Sequence, residues 1–194
     1  MNITRNYMSL GKKGRSGRKF TRGVTGIIIH WIGPYPNQRP SAVRHWWEMG
    51  VDGQGVVASA HFAIRDRDVL QCLPLDEVGW HSGDERNYNM IGIEVCPANA
   101  MGEFSDTTIE TLKELVELIR EAHPGAATIL RHFDGKQGKD CPRFYTRITS
   151  LLDGGGRVAN PEGGDARWEN LVDYLNGKID LDTMSCQIRE NTKS

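Results

Sequence analysis

Short apolar runs alternate with polar and glycine-rich segments along most of the chain. Each run is four to eight residues long and rich in β-branched or other apolar side chains, a pattern that predicts buried strands. Two of the runs flank the polar segment RDRD at positions 65–68, which favours an antiparallel hairpin. The predicted strands are residues 24–30, 57–64, 69–73, 91–96 and 127–131.

Other segments place apolar residues at helical spacing. The strongest begins at Thr107, which with Glu110 matches a capping box, and ends at His123 before Pro-Gly. A second helix is predicted from Ser41 as N-cap to Gly50, with Val43, Trp46 and Trp47 in the core. Two further helices are predicted over residues 144–152 and 166–175, the latter with Trp168, Leu171, Val172 and Leu175 on one side.

The alternation of strands and helices predicts an α/β fold, with a single mixed β-sheet flanked by helices and a C-terminal helical extension. Glycine-rich and proline-containing segments after position 152 are typical of a linker. We therefore predict a basic N-terminal arm (1–22), a main domain (23–152), and an extension (153–194) that holds a linker, an amphipathic helix and a polar tail. The helix is expected to pack on the core or on a second copy, which makes a homo-oligomer one possibility.

Charge and composition exclude several classes of protein. Basic and acidic residues number 24 and 25, so no global field favours nucleic acid as a ligand. The first 22 residues are basic and contain no acid, which favours a solvated arm over a surface for an anionic polymer. No apolar run is long enough to enter a membrane and no signal peptide is evident, so we expect synthesis in the cytoplasm. The four cysteines show no paired spacing, and Cys72 and Cys96 are expected to be buried thiols.

Three residues at abrupt changes of local character are candidate metal ligands. His30 and His132 each close a predicted strand, and Cys141 lies on the loop after the second. A lone histidine at a strand end is more often a hydrogen-bonded surface residue, but carboxyl ends of strands in such sheets gather at one edge. Imidazole and thiolate ligands favour one Zn²⁺ ion, and three protein ligands leave a position for water, whose pKa zinc lowers to about 7.

Two ionisable residues are predicted to act beside this metal. Glu94 lies inside an apolar strand, where an ionised carboxylate loses solvation unless a partner compensates. A general base near the metal is the favoured interpretation, and an ion pair with Arg131 is the alternative. Lys139, two residues before Cys141, is expected to stabilise an oxyanion.

Six short motifs follow one another between residues 23 and 152: IIIHW (27–31), SAHF (59–62), VGWHSG (78–83), NMIGIE (89–94), RH (131–132) and KDCP (139–142). In these motifs and their order the chain resembles the type 2 N-acetylmuramoyl-L-alanine amidases, a family that includes peptidoglycan recognition proteins and many phage endolysins. The resemblance covers residues 23–152.

This resemblance implies a fold and an activity. The expected fold is amidase-like, and the expected reaction is zinc-dependent hydrolysis of the amide between N-acetylmuramic acid and L-alanine in bacterial peptidoglycan. It implies that His30, His132 and Cys141 hold the zinc ion, that Glu94 transfers the proton, and that Lys139 stabilises the oxyanion. A phage or prophage endolysin that reaches the cell wall after release is the favoured role.

Substrate contacts and two other functions stay open. The resemblance implies substrate contacts at His61, Trp80 and His81. For His61 the alternative is a ring bound to backbone, and for the other two it is a packed loop. Some members of the family carry tyrosine where this chain has Ala60, so a tyrosine role is not transferred. The alternative functions are a non-catalytic peptidoglycan-binding module and a cytoplasmic amidase that recycles soluble muropeptides.

Overall fold

A single mixed sheet of six strands organises the protein, which confirms the predicted fold class. The computed structural model describes residues 1–11, 14–50, 53, 55–135, 139–146, 152–153, 156–157 and 164–190. The strands of this sheet are β1 (Asn2–Arg5), β2 (Gly26–Trp31), β3 (Phe62–Arg65), β4 (Asp68–Gln71), β5 (Met90–Val95) and β6 (Thr128–Arg131). Their order is β1-β4-β3-β5-β2-β6, and only the predicted hairpin, β3 with β4, is antiparallel.

Strand β2 lies between β5 and β6 and is buried along its whole length. Its odd-numbered residues, Ile27, Ile29 and Trp31, face the main apolar core, so His30 faces the opposite side of the sheet. The parallel register pairs His30 with Glu94 of β5, which therefore projects from the same face. The side chains of His30 and Glu94 therefore project from the face of the sheet opposite to the main core.

Helices cover both faces of the sheet. The helices are α1 (Pro40–Met49), α2 (Asp106–Ala122), α3 (Gly164–Leu175) and α4 (Leu181–Glu190). The apolar side of α2 packs on the main core, while Val43 and Trp47 of α1 join a second core cluster on the other face. Trp46 is 40% exposed, so its predicted core position is wrong. No helix among the described residues has the length and the apolar character that a membrane span needs.

Helices α1 and α2 each begin before the residue that the sequence predicted. Helix α1 has Arg39 at its N-cap and Pro40 in its first turn, where the missing N–H of proline costs no hydrogen bond. Ser105, and not Thr107, caps α2, because its hydroxyl accepts from the backbone N–H of Thr108 at 3.1 Å. The predicted end of α2 at His123 is confirmed.

The first residues are part of the fold, so the prediction of a solvated arm is wrong. Strand β1 pairs in parallel with β4, and Met8 is buried in the second core cluster. The guanidinium of Arg15 donates to both oxygens of the buried Glu77 carboxylate, at 2.8 and 2.9 Å. At least one basic side chain of this segment therefore compensates an internal charge.

The C-terminal helices pack on the same chain. Trp168, Leu171 and Leu175 of α3 are buried in the main core, and α3 contacts both α2 and α4. The segment that was predicted to be a polar tail contains the helix α4. Met184 and Ile188 of this helix are buried, although most of the segment is polar. The apolar face that suggested a homo-oligomer is therefore used within the chain.

The predicted helix over residues 144–152 is wrong at both of its described ends. Arg143–Tyr145 form a 3₁₀ turn, and Thr146 has extended backbone. Arg131 donates to the carbonyl of Tyr145 at 2.8 Å, an acceptor that a continuing α-helix uses for itself. Leu152–Asp153 pair with Gly156–Arg157 as two short strands, β7 and β8. Residues 147–151, and 154–155 and 158–163 of the predicted linker, lie outside the described residues.

Candidate metal centre and cleft

The three predicted metal ligands meet at one edge of the sheet. His30 lies near the end of β2, and His132 directly follows β6, which is paired with β2. The loop that follows His132 carries Cys141 to the same edge. The backbone N–H of Phe133 donates to the carbonyl oxygen of Cys141 at 3.0 Å. One nitrogen from each imidazole and the Cys141 Sγ lie within 4.8 Å of one another. The structure therefore brings together residues more than a hundred positions apart.

The ring atoms that face each other are the Nδ1 atoms. His30 Nδ1 lies 3.2 Å from His132 Nδ1 and 3.7 Å from Cys141 Sγ. His132 Nε2 lies 2.9 Å from the carbonyl oxygen of Ser82, which only accepts, so that nitrogen carries the hydrogen. The Nδ1 of neutral His132 thus has a lone pair directed into the cluster. The backbone N–H of Trp31 donates to Cys141 Sγ at 3.4 Å.

Burial keeps these three side chains uncharged in the absence of a cation. It lowers the pKa of His132 to about 4 and the pKa of His30 well below its ordinary value, where the neighbouring His81 adds a smaller effect. Burial also raises the pKa of the Cys141 thiol. Neutral imidazoles bind a metal without losing a proton, whereas a thiol ligand gives up its proton to the ion's field.

Glu94 lies beside this cluster and has no ion-pair partner among the described residues. Its Oε2 atom is buried and makes no hydrogen bond, and burial raises the pKa of the carboxyl to about 8. The alternative of an ion pair with Arg131 is wrong, because that guanidinium binds Asp134 and Asp165 at 2.6 Å each. A buried carboxylate left without compensation is costly for folding and points to a role in chemistry.

These groups line one open cleft of about 690 Å³. The cluster residues, Glu94 and Lys139 all contribute to its walls. Lys139 is exposed, so its ammonium is free to approach a bound ligand. Beyond them the walls consist of Trp31, Ile32, Gly33, Pro34, His81, Ala100, Met101, Asp140 and Arg143.

His61 does not reach the cleft, so its predicted substrate contact is wrong. The side chain has no exposed surface. Its Nε2 lies 2.8 Å from the carbonyl oxygen of Glu77, and its Nδ1 accepts from the N–H of Gly92 at 3.1 Å. The ring is therefore bound to backbone on both sides, the alternative that the sequence left open.

The loop that carries Trp80 and His81 is packed, and of these two residues only His81 is among the described walls of the cleft. The Trp80 ring meets Tyr88 edge-on at 6.0 Å, and the described walls of the cleft do not include it. His81 borders the cleft but is 8% exposed. Its Nδ1 lies 3.1 Å from His30 Nε2, and its Nε2 lies 3.2 Å from the Met90 carbonyl oxygen. Both ring nitrogens of His81 are therefore engaged within the protein, and the substrate contact of His81 stays a prediction.

Two residues that support the cluster were missed by sequence reasoning. Ser82 contributes a backbone carbonyl, which any residue type supplies, so the sequence gives no signal for it. Asn87 lies in the polar stretch before β5, and its Oδ1 accepts from the N–H groups of His81 and Ser82 at 2.9 and 2.8 Å. In the sequence, the position of Asn87 between two recognised motifs is the signal that could have indicated its role.

Comparisons with known proteins identify the family of this chain. The family model described as N-acetylmuramoyl-L-alanine amidase matches residues 20–144. N-acetylmuramoyl-L-alanine amidase XlyA of Bacillus subtilis is 39% identical over 146 residues, which is 74% of this chain and 47% of that protein. The chain thus spans about half the length of this curated relative.

Two solved structures extend the likeness to three dimensions. The catalytic domain of XlyA superposes with a TM-score of 0.61 at 29% identity, over 74% of this chain and 91% of that one. A mutant endolysin from Bacillus subtilis gives 0.59 at 27% identity, over 73% and 90%. Since the family model spans well over half of the sequence, the chain belongs to the N-acetylmuramoyl-L-alanine amidase family.

Proposed function

We propose that this chain hydrolyses the amide between the lactyl group of N-acetylmuramic acid and L-alanine in bacterial peptidoglycan, with one zinc ion. The observation that carries the proposal is the convergence of His30, His132 and Cys141 at the wall of a cleft that also contains Glu94, which has no ion-pair partner among the described residues. The amidase relative and the solved catalytic domain support the same reaction.

The donor set fits zinc. Two neutral imidazole nitrogens and one sulfur are ligands that Zn²⁺ prefers, whereas calcium and magnesium require several oxygens. Nδ1 atoms 3.2 Å apart, at least one of them without a hydrogen, are well suited to share a cation. When bound, zinc supplies a Lewis acid that activates water and polarises the scissile carbonyl.

Glu94 is proposed to transfer the proton. Its Oε2 receives a proton from the water that attacks the lactyl carbonyl carbon, and then delivers that proton to the nitrogen of L-alanine as the carbon–nitrogen bond breaks. The products are a lactyl carboxylate on the glycan and a stem peptide with a free amino terminus. The carboxyl suits this exchange because burial raises its pKa to about 8, close to working pH.

Lys139 is proposed to stabilise the negative charge that develops on the carbonyl oxygen. The ammonium is exposed on the loop just before Cys141 and lines the same cleft. A cation placed where charge develops lowers the barrier more than it tightens substrate binding. Removing it should therefore reduce kcat more than it changes KM.

An endolysin role is part of the proposal. Support comes from the likeness to a solved endolysin from Bacillus subtilis at 27% identity. Such a role requires attack on the intact wall. The two alternative functions make other demands: a binding module adheres without cutting, and a recycling amidase cuts only soluble fragments.

Product analysis separates these functions. Purified protein is incubated with intact sacculi and, separately, with soluble muropeptides, and the products are analysed by mass spectrometry. The proposal predicts free L-alanine amino termini and intact saccharides from sacculi. Glu94→Ala and Cys141→Ser should be folded and inactive. Adherence to sacculi without release, or release from soluble fragments alone, contradicts it.

A further inference from the structure

The second nitrogen of His30 takes part in a chain of hydrogen bonds whose direction is fixed. The Met90 carbonyl oxygen only accepts, so His81 Nε2, 3.2 Å away, carries the hydrogen. In the neutral ring, His81 Nδ1 then has a lone pair and accepts from His30 Nε2–H over 3.1 Å. The remaining nitrogen of His30, Nδ1, is therefore a lone-pair atom that faces Cys141 Sγ and His132.

The tautomer of His132 is fixed directly by the carbonyl oxygen of Ser82, which accepts from the Nε2–H of that ring. Consequently both Nδ1 atoms are acceptors, although they lie only 3.2 Å apart. Two opposed lone pairs repel each other, and a cation between them removes the repulsion. The partners of both imidazoles come from consecutive residues, the side chain of His81 and the backbone of Ser82.

This dipeptide is held in place from two sides. Asn87 Oδ1 accepts from both backbone N–H groups, at 2.9 and 2.8 Å. On the other side the His81 ring lies against Gly92 of β5, where an added Cβ would meet His81 Cγ at 2.5 Å. The glycine thus leaves the space that the ring occupies.

We propose that His81, Ser82 and Asn87 form a positioning unit that presents the Nδ1 lone pairs of both histidine ligands to the metal. The unit does not bind the metal itself, and it acts by fixing the tautomer and the ring orientation of the two histidine ligands. This inference rests on the zinc site of the proposed function. Partners of this kind change metal affinity by roughly 10- to 100-fold when they are removed.

Zinc affinity tests the proposal directly, measured by competition with a chromophoric chelator. His81→Phe keeps an aromatic ring against Gly92 but removes the acceptor for His30, so zinc should bind roughly 10- to 100-fold more weakly. His81→Asn places its Oδ1 near the position of Nδ1 and should recover most of the affinity. His61→Asn is the matched control, because His61 is also buried and bound to backbone and lies edge-on to the His81 ring, but it contacts neither His30 nor His132.

A second readout separates positioning from general loosening of the fold. With Co²⁺ in place of zinc, His81→Phe should shift the visible d–d bands, whereas His61→Asn should leave them unchanged even if it lowers the unfolding midpoint. Equal zinc affinity and unchanged bands in folded His81→Phe would overturn the proposal. If that variant does not fold, His81→Asn must bind zinc roughly tenfold more tightly than His81→Gln, whose acceptor is displaced, and equal affinities would overturn it as well.

Failure of the zinc site itself is recognised separately. If the parent protein binds no zinc, or if Cys141→Ser binds it equally well, both the proposed function and the positioning unit are refuted. If the parent binds zinc through Cys141 while His81→Phe binds it as tightly, only the positioning unit is refuted.

Discussion

Glu94→Gln should stabilise the metal-free protein at alkaline pH, because it removes an acid that the fold holds without a partner. Burial raises the pKa of this carboxyl from its ordinary 4.5 to about 8. Between those values the folded state binds more protons than the unfolded state. The free energy of unfolding of the parent therefore falls as pH rises through this window and is level above it. The glutamine variant lacks this titration.

The size of the effect follows from the width of the window. A pKa displaced from 4.5 to about 8 corresponds to about 5 kcal/mol, at about 1.4 kcal/mol per pH unit. The cleft is open to water, which relaxes part of the cost of burying the charge, so we expect a gap of about 2–3 kcal/mol above pH 8. Near pH 4.5 and below, the two proteins should have equal stability.

Urea unfolding with a chelator present, at several pH values from about 4.5 to about 9, measures the gap. Glu121→Gln, at an exposed position near the end of α2, is the matched control and should stay within about 0.5 kcal/mol of the parent throughout. Zinc should narrow the Glu94→Gln gap, since a nearby cation favours the carboxylate. A gap that is constant across pH would show that Glu94 has a compensating partner and refute the reasoning.

Three further predictions concern the cleft and the supporting fold. Lys139→Met should lower kcat by roughly 100-fold with little change in KM, and a change confined to KM in steady-state kinetics would argue against oxyanion stabilisation. Trp168→Ala should cost about 3 kcal/mol of unfolding free energy, measured in urea, because the ring is buried in the main core under the guanidinium of Arg131. Its sedimentation should match that of the parent, and a changed oligomeric state would show that α3 also serves another copy. Arg15→Gln should lower the free energy of unfolding by about 3 kcal/mol, because the buried Glu77 carboxylate then keeps only Lys19, at 3.4 Å, as an ion-pair partner among the described residues. A loss below about 0.5 kcal/mol in urea unfolding would contradict a structural role for the first residues.

The sequence predicted the parts of the fold that hydrophobic periodicity specifies. Strands β2 and β5 are continuous apolar runs, and α2 repeats apolar residues at helical spacing, so each was found within a few residues of its ends. Strand β1 was missed because it is a short edge strand with mostly exposed side chains. Helix α4 was missed because its apolar stripe is short, with two buried residues, Met184 and Ile188, and the partly buried Leu181.

The ligand set was accessible to sequence reasoning, but the partners of the ligands were not. His30 and His132 follow predicted strands, so their meeting at one edge is a consequence of parallel pairing. The orientation of His81 depends instead on a loop that Asn87 and Gly92 hold from opposite sides. Side-chain amide contacts and the absence of a Cβ leave no periodic signal, so the contact between His81 and His30 could not be predicted from the sequence.

Anomalous diffraction at the zinc edge from crystals of the zinc-loaded protein tests the central claim most directly. The account predicts one strong peak at the edge of the sheet, bonded to Nδ1 of His30, Nδ1 of His132 and Sγ of Cys141, with Glu94 and Lys139 facing it across the cleft. A peak bonded through the Nε2 atoms, a site formed by other residues, or no bound zinc would contradict it.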